Sequence, residues 1–350
     1  METKYHAPIQ GRGRLTLLSC ASGRPFAKRV EKALVKIIKD AGGLGESGVL
    51  RKTDEVLFPN GEIKTVIADN IRGDDIYVIQ CVDDPSSKQS VNDNLMALVT
   101  ALHAADQSDA ASITAVIPQF PYSRQERKKT REAITARVVA SLLEDSGADR
   151  VITLDIHSEA TMGFFRRCTL EDLHASGVLI DHVVANTTID TDNLVMVAPD
   201  VGGADRARHY ANHFGSPLAI VHKARDYSQP GIIESMRLVG DVEGKDVLMP
   251  DDLIATGGTL LTACKLLKDS GAKRVFLACS LPFLNGPAVD RFDKAYAEGG
   301  FDLLIGTDAV FRGPSFVEKH PWYQEVSVAP LFAQVIFNIN QKRSVSALLR

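Results

Sequence analysis

No apolar stretch in the chain approaches the ~18 residues that a membrane-spanning helix needs. Cysteine is scarce: Cys20, Cys81, Cys168, Cys264 and Cys279 are scattered, odd in number and without metal-ligand spacing. Neither a disulfide framework nor a zinc finger fits them, so reduced thiols in the cytosol are the expectation. The first residues lack a charged-then-apolar signal pattern, which makes the expected localisation cytoplasmic. An excess of basic charge is missing as well. Lys and Arg number 40 against 44 Asp and Glu, a net charge of −4, so nothing global attracts nucleic acid or an anionic membrane. Any anionic ligand must be met by local groups, and each cluster of cations becomes informative. No linker rich in Pro, Gly or Ser divides the 350 residues, although that length suggests about two domains that pack closely. With 45% hydrophobic and 24% charged residues, the composition is that of a globular protein with a substantial core.

What is present is an alternation. Short apolar runs at 76–79, 113–117, 151–154, 195–198, 218–221, 275–279 and 303–305 are separated by longer helical patterns. This predicts parallel sheets covered by helices, an α/β protein. Asp145-Ser146-Gly147-Ala148-Asp149-Arg150-Val151 recurs as Asp269-Ser270-Gly271-Ala272-Lys273-Arg274-Val275. Each copy reads as a helix end, a left-handed glycine cap and a strand start, with the basic residue at the surface. Two related α/β domains explain the echo.

The most informative segment is Val247-Leu248-Met249-Pro250-Asp251-Asp252-Leu253-Ile254-Ala255-Thr256-Gly257-Gly258-Thr259-Leu260. Residues 247–249 suit a buried strand, and Thr259 can cap a helix whose apolar positions recur at Leu260, Cys264 and Leu267. Gly257 and Gly258 let the backbone approach an anion where unpaired N–H groups and the helix dipole favour negative charge. Asp251 and Asp252 cannot bind phosphate, but they accept hydrogen bonds from sugar hydroxyls. Consecutive strand residues face opposite ways, so one aspartate reaches the ligand unless the strand ends at Pro250. The segment reads as a cradle for a phosphorylated sugar.

Other strand ends carry reactive residues. The run at 151–154 leads into Asp155-Ile156-His157, and the run at 195–198 into Pro199-Asp200-Val201-Gly202-Gly203. Ligands gather beyond the carboxyl ends of strands in open α/β sheets. His157 can meet a phosphate or a metal there, and Asp200 can supply a hard oxygen ligand. Arg124-Gln125-Glu126-Arg127-Lys128-Lys129 follows a strand and Pro121, within reach of a polyphosphate. Lys128 and Lys129 fit a solvated helix start equally well. His222-Lys223-Ala224-Arg225-Asp226-Tyr227 and the Ser-Gln-Pro-Gly after it read as a mobile loop carrying two cations that could close over a phosphorylated ligand.

The strand, acidic pair and glycine loop resemble the phosphoribosyl-pyrophosphate loop of type I phosphoribosyltransferases and of ribose-phosphate diphosphokinases. From about Leu15 to Leu349 the chain resembles the latter, the phosphoribosyl pyrophosphate synthetase family. Phe58-Pro59-Asn60-Gly61-Glu62 is similar to that family's adenine-contacting segment, which there comes from a neighbouring subunit. Asn92-Asp93-Asn94-Leu95-Met96 is similar to its NDNLME element, and Tyr122-Ser123-Arg124-Gln125-Glu126-Arg127-Lys128 to its ATP-binding YARQDRK. Gly286-Pro287-Ala288, Ser327-Val328-Ala329-Pro330-Leu331-Phe332 and Ser344-Val345-Ser346 also match.

The resemblance implies two tandem phosphoribosyltransferase-like domains, each a mainly parallel sheet flanked by helices. The first would cover 1–172, completed by 331–350, and the second 173–330 with the ribose-phosphate loop. It implies transfer of the β,γ-diphosphoryl group of Mg-ATP to the 1-hydroxyl of ribose 5-phosphate. Lys223 and Arg225 would be catalytic. Phe58, Asn60, Glu62, Arg124, Gln125 and His157 would bind ATP. Asp251, Asp252, Thr256, Gly257, Gly258 and Thr259 would bind ribose 5-phosphate, while His157 and Asp200 would lie near Mg²⁺, the implied cofactor. A homo-oligomer of at least two subunits, and a hexamer by resemblance, is implied, with no nucleic-acid or membrane partner. The chain departs from the family at Ala255 in place of a third aspartate and at Pro250 in place of a β-branched residue. Residues 158–162 and Ser280-Leu281 also differ from the family pattern. A catalytically silent regulatory subunit and a base phosphoribosyltransferase are the rival readings. The first should have lost the loop cations or metal residues, and the second has no use for the N-terminal half.

Overall fold

A strand buried on both faces reads as an unbroken apolar run rather than an alternating one. In the computed structural model every such run forms the body of a strand; it describes residues 12–43, 48–225 and 233–348, with the backbone alone for 223–225 and 233–235. The chain divides into two compact units. One runs through His174 and takes in Ala309–Phe311 and the segment from Val328 onward; the other comprises Ala175–Asp308 and Arg312–Ser327.

In the first unit, β1 (Leu15–Ser19), α1 (Arg24–Asp40), the hairpin β2 (Thr53–Leu57) and β3 (Ile63–Ile67), β4 (Asp75–Ile79) and α2 (Val91–Asp106) follow one another. Then come β5 (Ser112–Val116), α3 (Thr135–Asp145), β6 (Arg150–Leu154) and β7 (Thr169–Leu173). The sheet order is β1-β4-β5-β6-β7, parallel throughout.

The second unit contains α4 (Ser176–Asn186), β8 (Leu194–Ala198), α5 (Ala204–Phe214), β9 (Leu218–Arg225), β10 (Ile233–Val239), β11 (Asp246–Leu253) and α6 (Gly258–Asp269). It continues with β12 (Arg274–Leu281), α7 (Ala288–Ala297), β13 (Leu303–Thr307), α8 (Pro314–Lys319) and β14 (Tyr323–Val326). Its order is β10-β9-β8-β11-β12-β13-β14, with only the edge pair β10–β9 antiparallel. The last helix, α9 (Ala329–Asn340), returns to the first unit. There Phe332 meets Phe26 of α1 edge-on at 5.3 Å, and buried Asn340 donates to Asp75 at 2.9 Å and to the Gly13 carbonyl at 3.2 Å. Among the described residues no helix is long and apolar enough to cross a membrane.

The two echoed segments close in the same way. Ser146, Gly147 and Ala148 donate to Leu142, Glu144 and Leu143, while Ser270, Gly271 and Ala272 donate to Leu266, Lys268 and Leu267. Both glycines are left-handed, with φ of 101° and 86°. The basic residues that follow are half-buried and paired, not free at the surface as expected. Arg150 meets Glu171, and Arg274 Nε donates at 3.0 Å to Asp246, whose side chain is 1% exposed. Burial pushes the Asp246 carboxyl up, but the bonds from Arg274 and the Asp190 N–H outweigh it and hold it below the usual carboxylate value.

The Arg274–Asp246 pair fixes the shared start of β11 and β12. Arg274→Met should lower unfolding free energy by roughly 3 kcal/mol at neutral pH by leaving a buried carboxylate without its cation. A carboxyl held low when folded stabilises above its unfolded value and loses that contribution as pH falls through the folded value. The difference between variant and wild type should therefore shrink below about pH 4. Denaturant titrations at pH 7 and pH 3.5 check both statements.

Candidate functional site

β11 does not stop after its apolar run. It continues through Pro250 and both aspartates to Leu253. Pairing with β8 ends at Leu248, whereas pairing with β12 runs on through Asp251↔Cys279, so the missing N–H of Pro250 falls where the β8 ladder is already over. Asp251 and Asp252 therefore alternate along a strand. Asp252 is buried, at 7% exposure, and lies 3.6 Å from Arg206 of α5; Asp251 is half-buried. Burial first, and then the charge of Asp252, raise the Asp251 carboxyl well above its usual value, while Arg206 works against the shift.

The turn beyond the strand is built by a glycine. Gly257 has φ 70° and is the N-cap of α6, so the cap is not Thr259, which lies exposed in the first turn. Phe292 of α7 packs so closely on Gly257 that any Cβ would overlap its ring. Leu260, Ala263, Cys264 and Leu267 anchor the helix in the core, as the spacing predicts. Among the described residues the backbone N–H groups of 256–260 find no acceptor. Arg291 donates to the Thr256 carbonyl at 3.2 Å and adds positive charge near this turn. Thr256, Gly257, Gly258 and Thr259 thus form one cluster of free donors at the end of a strand that carries two carboxyls.

Also in this unit, Asp200 follows β8 and folds onto its own turn, accepting from the Gly203 N–H at 3.0 Å. Lys223 and Arg225 were expected on a mobile loop. They lie instead within β9, whose strand runs past Val221 and pairs with β10 at Lys223↔Met236 and Arg225↔Ile233. Residues 226–232, the rest of that expected loop, lie outside the described residues.

In the first unit, Phe58, Asn60 and Glu62 form the exposed tip of the β2–β3 hairpin, closed by the Phe58 N–H to the Glu62 carbonyl at 2.9 Å. They line a groove of about 470 Å³ with Asp93, Met96 and Thr100 of α2. Ser90 and Asp93 form a reciprocal cap at the start of α2, and buried Asn94 donates to the Val82 carbonyl at 3.0 Å. Arg124 and Gln125 are exposed on the segment before α3, whose bend is made by Tyr122 at φ 57°, with its hydroxyl bonded to Asn92. The NDNLM and YSRQERK stretches are thus tied together. His157 is exposed just beyond β6. Beside it lies a cluster that sequence reasoning missed: Asp155, Asp172 and His174. Asp172 is pushed up to about 7 by burial and the Asp155 charge, and His174 is raised by its bond to Asp155. No grouping of three or more His, Cys, Asp or Glu suited to a metal occurs among the described residues.

Two family models match the chain: the N-terminal domain of ribose phosphate pyrophosphokinase over residues 15–147 and the phosphoribosyl transferase domain over 169–312. A ribose-phosphate pyrophosphokinase of Chlorobaculum tepidum is 41% identical over 292 residues, covering 83% of this chain and 85% of that protein. One of Listeria ivanovii is 36% identical over 358 residues, covering 99% of each. A crystal structure of phosphoribosylpyrophosphate synthetase from Mycobacterium smegmatis superposes with a TM-score of 0.79 at 31% identity, covering 94% of this chain and 99% of that one.

Gly257→Ala should cost roughly 2–3 kcal/mol of unfolding free energy, from the left-handed φ and from overlap with Phe292. Equilibrium denaturation measures it, and an unchanged midpoint and slope would show that the turn does not need a glycine.

Proposed function

Given that the chain belongs to the ribose-phosphate pyrophosphokinase family and has that family's transferase activity, we propose how its residues divide the reaction. Its fold is that of two phosphoribosyltransferase-like domains with mainly parallel sheets. We take the domains as 1–172 with 331–350, for the nucleotide, and 173–330, for the sugar. The observation that carries the sugar side is the run of unpaired N–H groups at 256–260 at the head of α6, directly after Asp251 and Asp252.

The 5-phosphate of ribose 5-phosphate is held by the N–H groups of Thr256, Gly257, Gly258 and Thr259, where dipole and donors both favour an anion. The pentose hydroxyls meet Asp251 and Asp252. Burial and the neighbouring Asp252 charge raise the Asp251 carboxyl, which favours hydrogen-bond donation from the pair as well as acceptance. The 1-hydroxyl attacks the β-phosphorus of ATP, the bond from that phosphorus to the α,β-bridging oxygen breaks, and AMP leaves. Lys223 and Arg225 neutralise charge on the diphosphoryl group in transit. Their backbone lies on a strand paired with β10, which needs less ordering than an open loop would.

Phe58, Asn60 and Glu62 receive the adenine, and Arg124, Gln125 and His157 meet the triphosphate. Magnesium would neutralise the phosphates and hold them in line. His157 and Asp200 would each be able to face a magnesium ion that arrives with the nucleotide, and most of its ligands would be phosphate and water oxygens. The exposed Val56, Leu57 and Phe58 at the hairpin tip support a subunit boundary there, hence a homo-oligomer of at least two chains, with a hexamer by resemblance. We also propose a cytoplasmic protein.

AMP should form from ATP and Mg²⁺ only when ribose 5-phosphate is present. Its absence in that assay supports the silent-subunit reading, and pyrophosphate release from phosphoribosyl pyrophosphate and a base supports the phosphoribosyltransferase reading. Lys223→Ala should lower kcat by 10²-fold or more, of the order seen when one transition-state donor is removed, with little change in either KM. A kcat equal to wild type removes Lys223 from the transfer step.

A further inference from the structure

β6 ends in a bend that no glycine makes. Asp155, directly after Leu154, has φ 43°, in the left-handed region that a residue with a Cβ enters at a cost. The bend turns Ile156 into the core, where it is 7% exposed, and leaves His157 at the surface. Three bonds from the end of β7 hold it. The Asp155 N–H donates to the Leu173 carbonyl at 2.8 Å, the Ile156 N–H donates to Asp172 Oδ1 at 2.9 Å, and His174 Nδ1 lies 3.1 Å from Asp155 Oδ1. That bond raises the His174 imidazole, the direction produced by an Nδ1–H donating to a carboxylate. Two of the three bonds use side chains that neither the sugar nor the nucleotide reading employs.

We infer that His174, together with Asp172, is a positioning residue for the transfer reaction: by clamping the Asp155 bend from β7, it fixes the direction in which His157 leaves β6 and so the grip on the magnesium nucleotide. The physical ground is that a contacting imidazole is only as well aimed as the backbone it stands on, and here that backbone is strained and held by side chains. A glycine at 155 would reach the same φ without help. An aspartate needs the partners, and its own carboxylate, 9% exposed, needs a donor. The inference rests on the reading of His157 as a nucleotide-contacting residue, and the test separates the two.

The test is calorimetric titration of the full-length enzyme with MgATP in the absence of ribose 5-phosphate, alongside KM values for both substrates and a thermal melt. His174→Ala should weaken MgATP binding by an order of 10-fold and raise its KM to match, while the KM for ribose 5-phosphate and the cooperativity of melting stay as in wild type. His174→Asn should restore binding, because its Nδ2 lies near the position of the imidazole Nδ1. If the alanine variant does not fold, His174→Gln, whose longer amide misplaces the donor, takes its place against His174→Asn. On a His157→Ala background, His174→Ala should add no further loss, since it acts through His157. Unchanged MgATP binding, a further full loss on that background, or an asparagine variant that behaves as alanine overturns the inference. If His157→Ala alone leaves MgATP binding intact, the reading of His157 falls first, and the positioning role falls with it.

Discussion

An acidic protein that handles two polyanions cannot draw them in by net charge, and we propose that the donors left open between β11 and α6 answer that constraint. A left-handed Gly257, held against Phe292, ends the strand and starts the helix in so few residues that the N–H groups of 256–260 have no acceptor among the described residues. Those donors carry partial positive charge without adding formal charge, and they sit beside carboxyls that would otherwise repel a phosphate. Arg206 near Asp252 and Arg291 on the Thr256 carbonyl reduce the same repulsion from two sides. The fold serves this junction: the parallel neighbours β8 and β12 bring further strand ends to the same edge of the sheet, where Asp200 follows β8.

The buried strands were legible because a parallel sheet covered on both faces demands continuous apolar runs, and the sequence has them. The helix and strand joins at Gly147 and Gly271 were legible because only a left-handed cap followed by a strand uses that order of residues. Strand ends were not. β11 passes through Pro250 because the side that would need its N–H is already unpaired there, and β9 passes through Lys223 and Arg225 because β10 supplies backbone partners. Hydrophobic pattern reports burial, and both extensions are held by pairing instead. The same limit explains the cap: Thr259 has the better N-cap side chain, but the contact between Gly257 and Phe292, thirty-five positions further on, decides where the helix starts.

Within the site, motif residues were legible and their supports were not. Gly257, Gly258 and the paired aspartates stand in a fixed local order, whereas Arg206 and Arg291 are ordinary helix cations until a tertiary partner gives them a role. Asp172 and His174 are 15 or more residues from His157 and carry no spacing rule that links them to it. One local sign was available in principle. A non-glycine residue that must bend sharply after a buried strand needs outside partners, and parallel β7 is the neighbour that supplies them.

The central claim is that backbone donors at the head of α6, not side-chain cations, hold the phosphorylated end of the sugar. A crystal structure of the protein with ribose 5-phosphate bound tests it most directly. The account predicts the phosphate within hydrogen-bonding distance of the N–H groups of residues 256–260, with the pentose hydroxyls toward Asp251 and Asp252. A phosphate seated on arginine or lysine side chains elsewhere, with that turn empty, would contradict it.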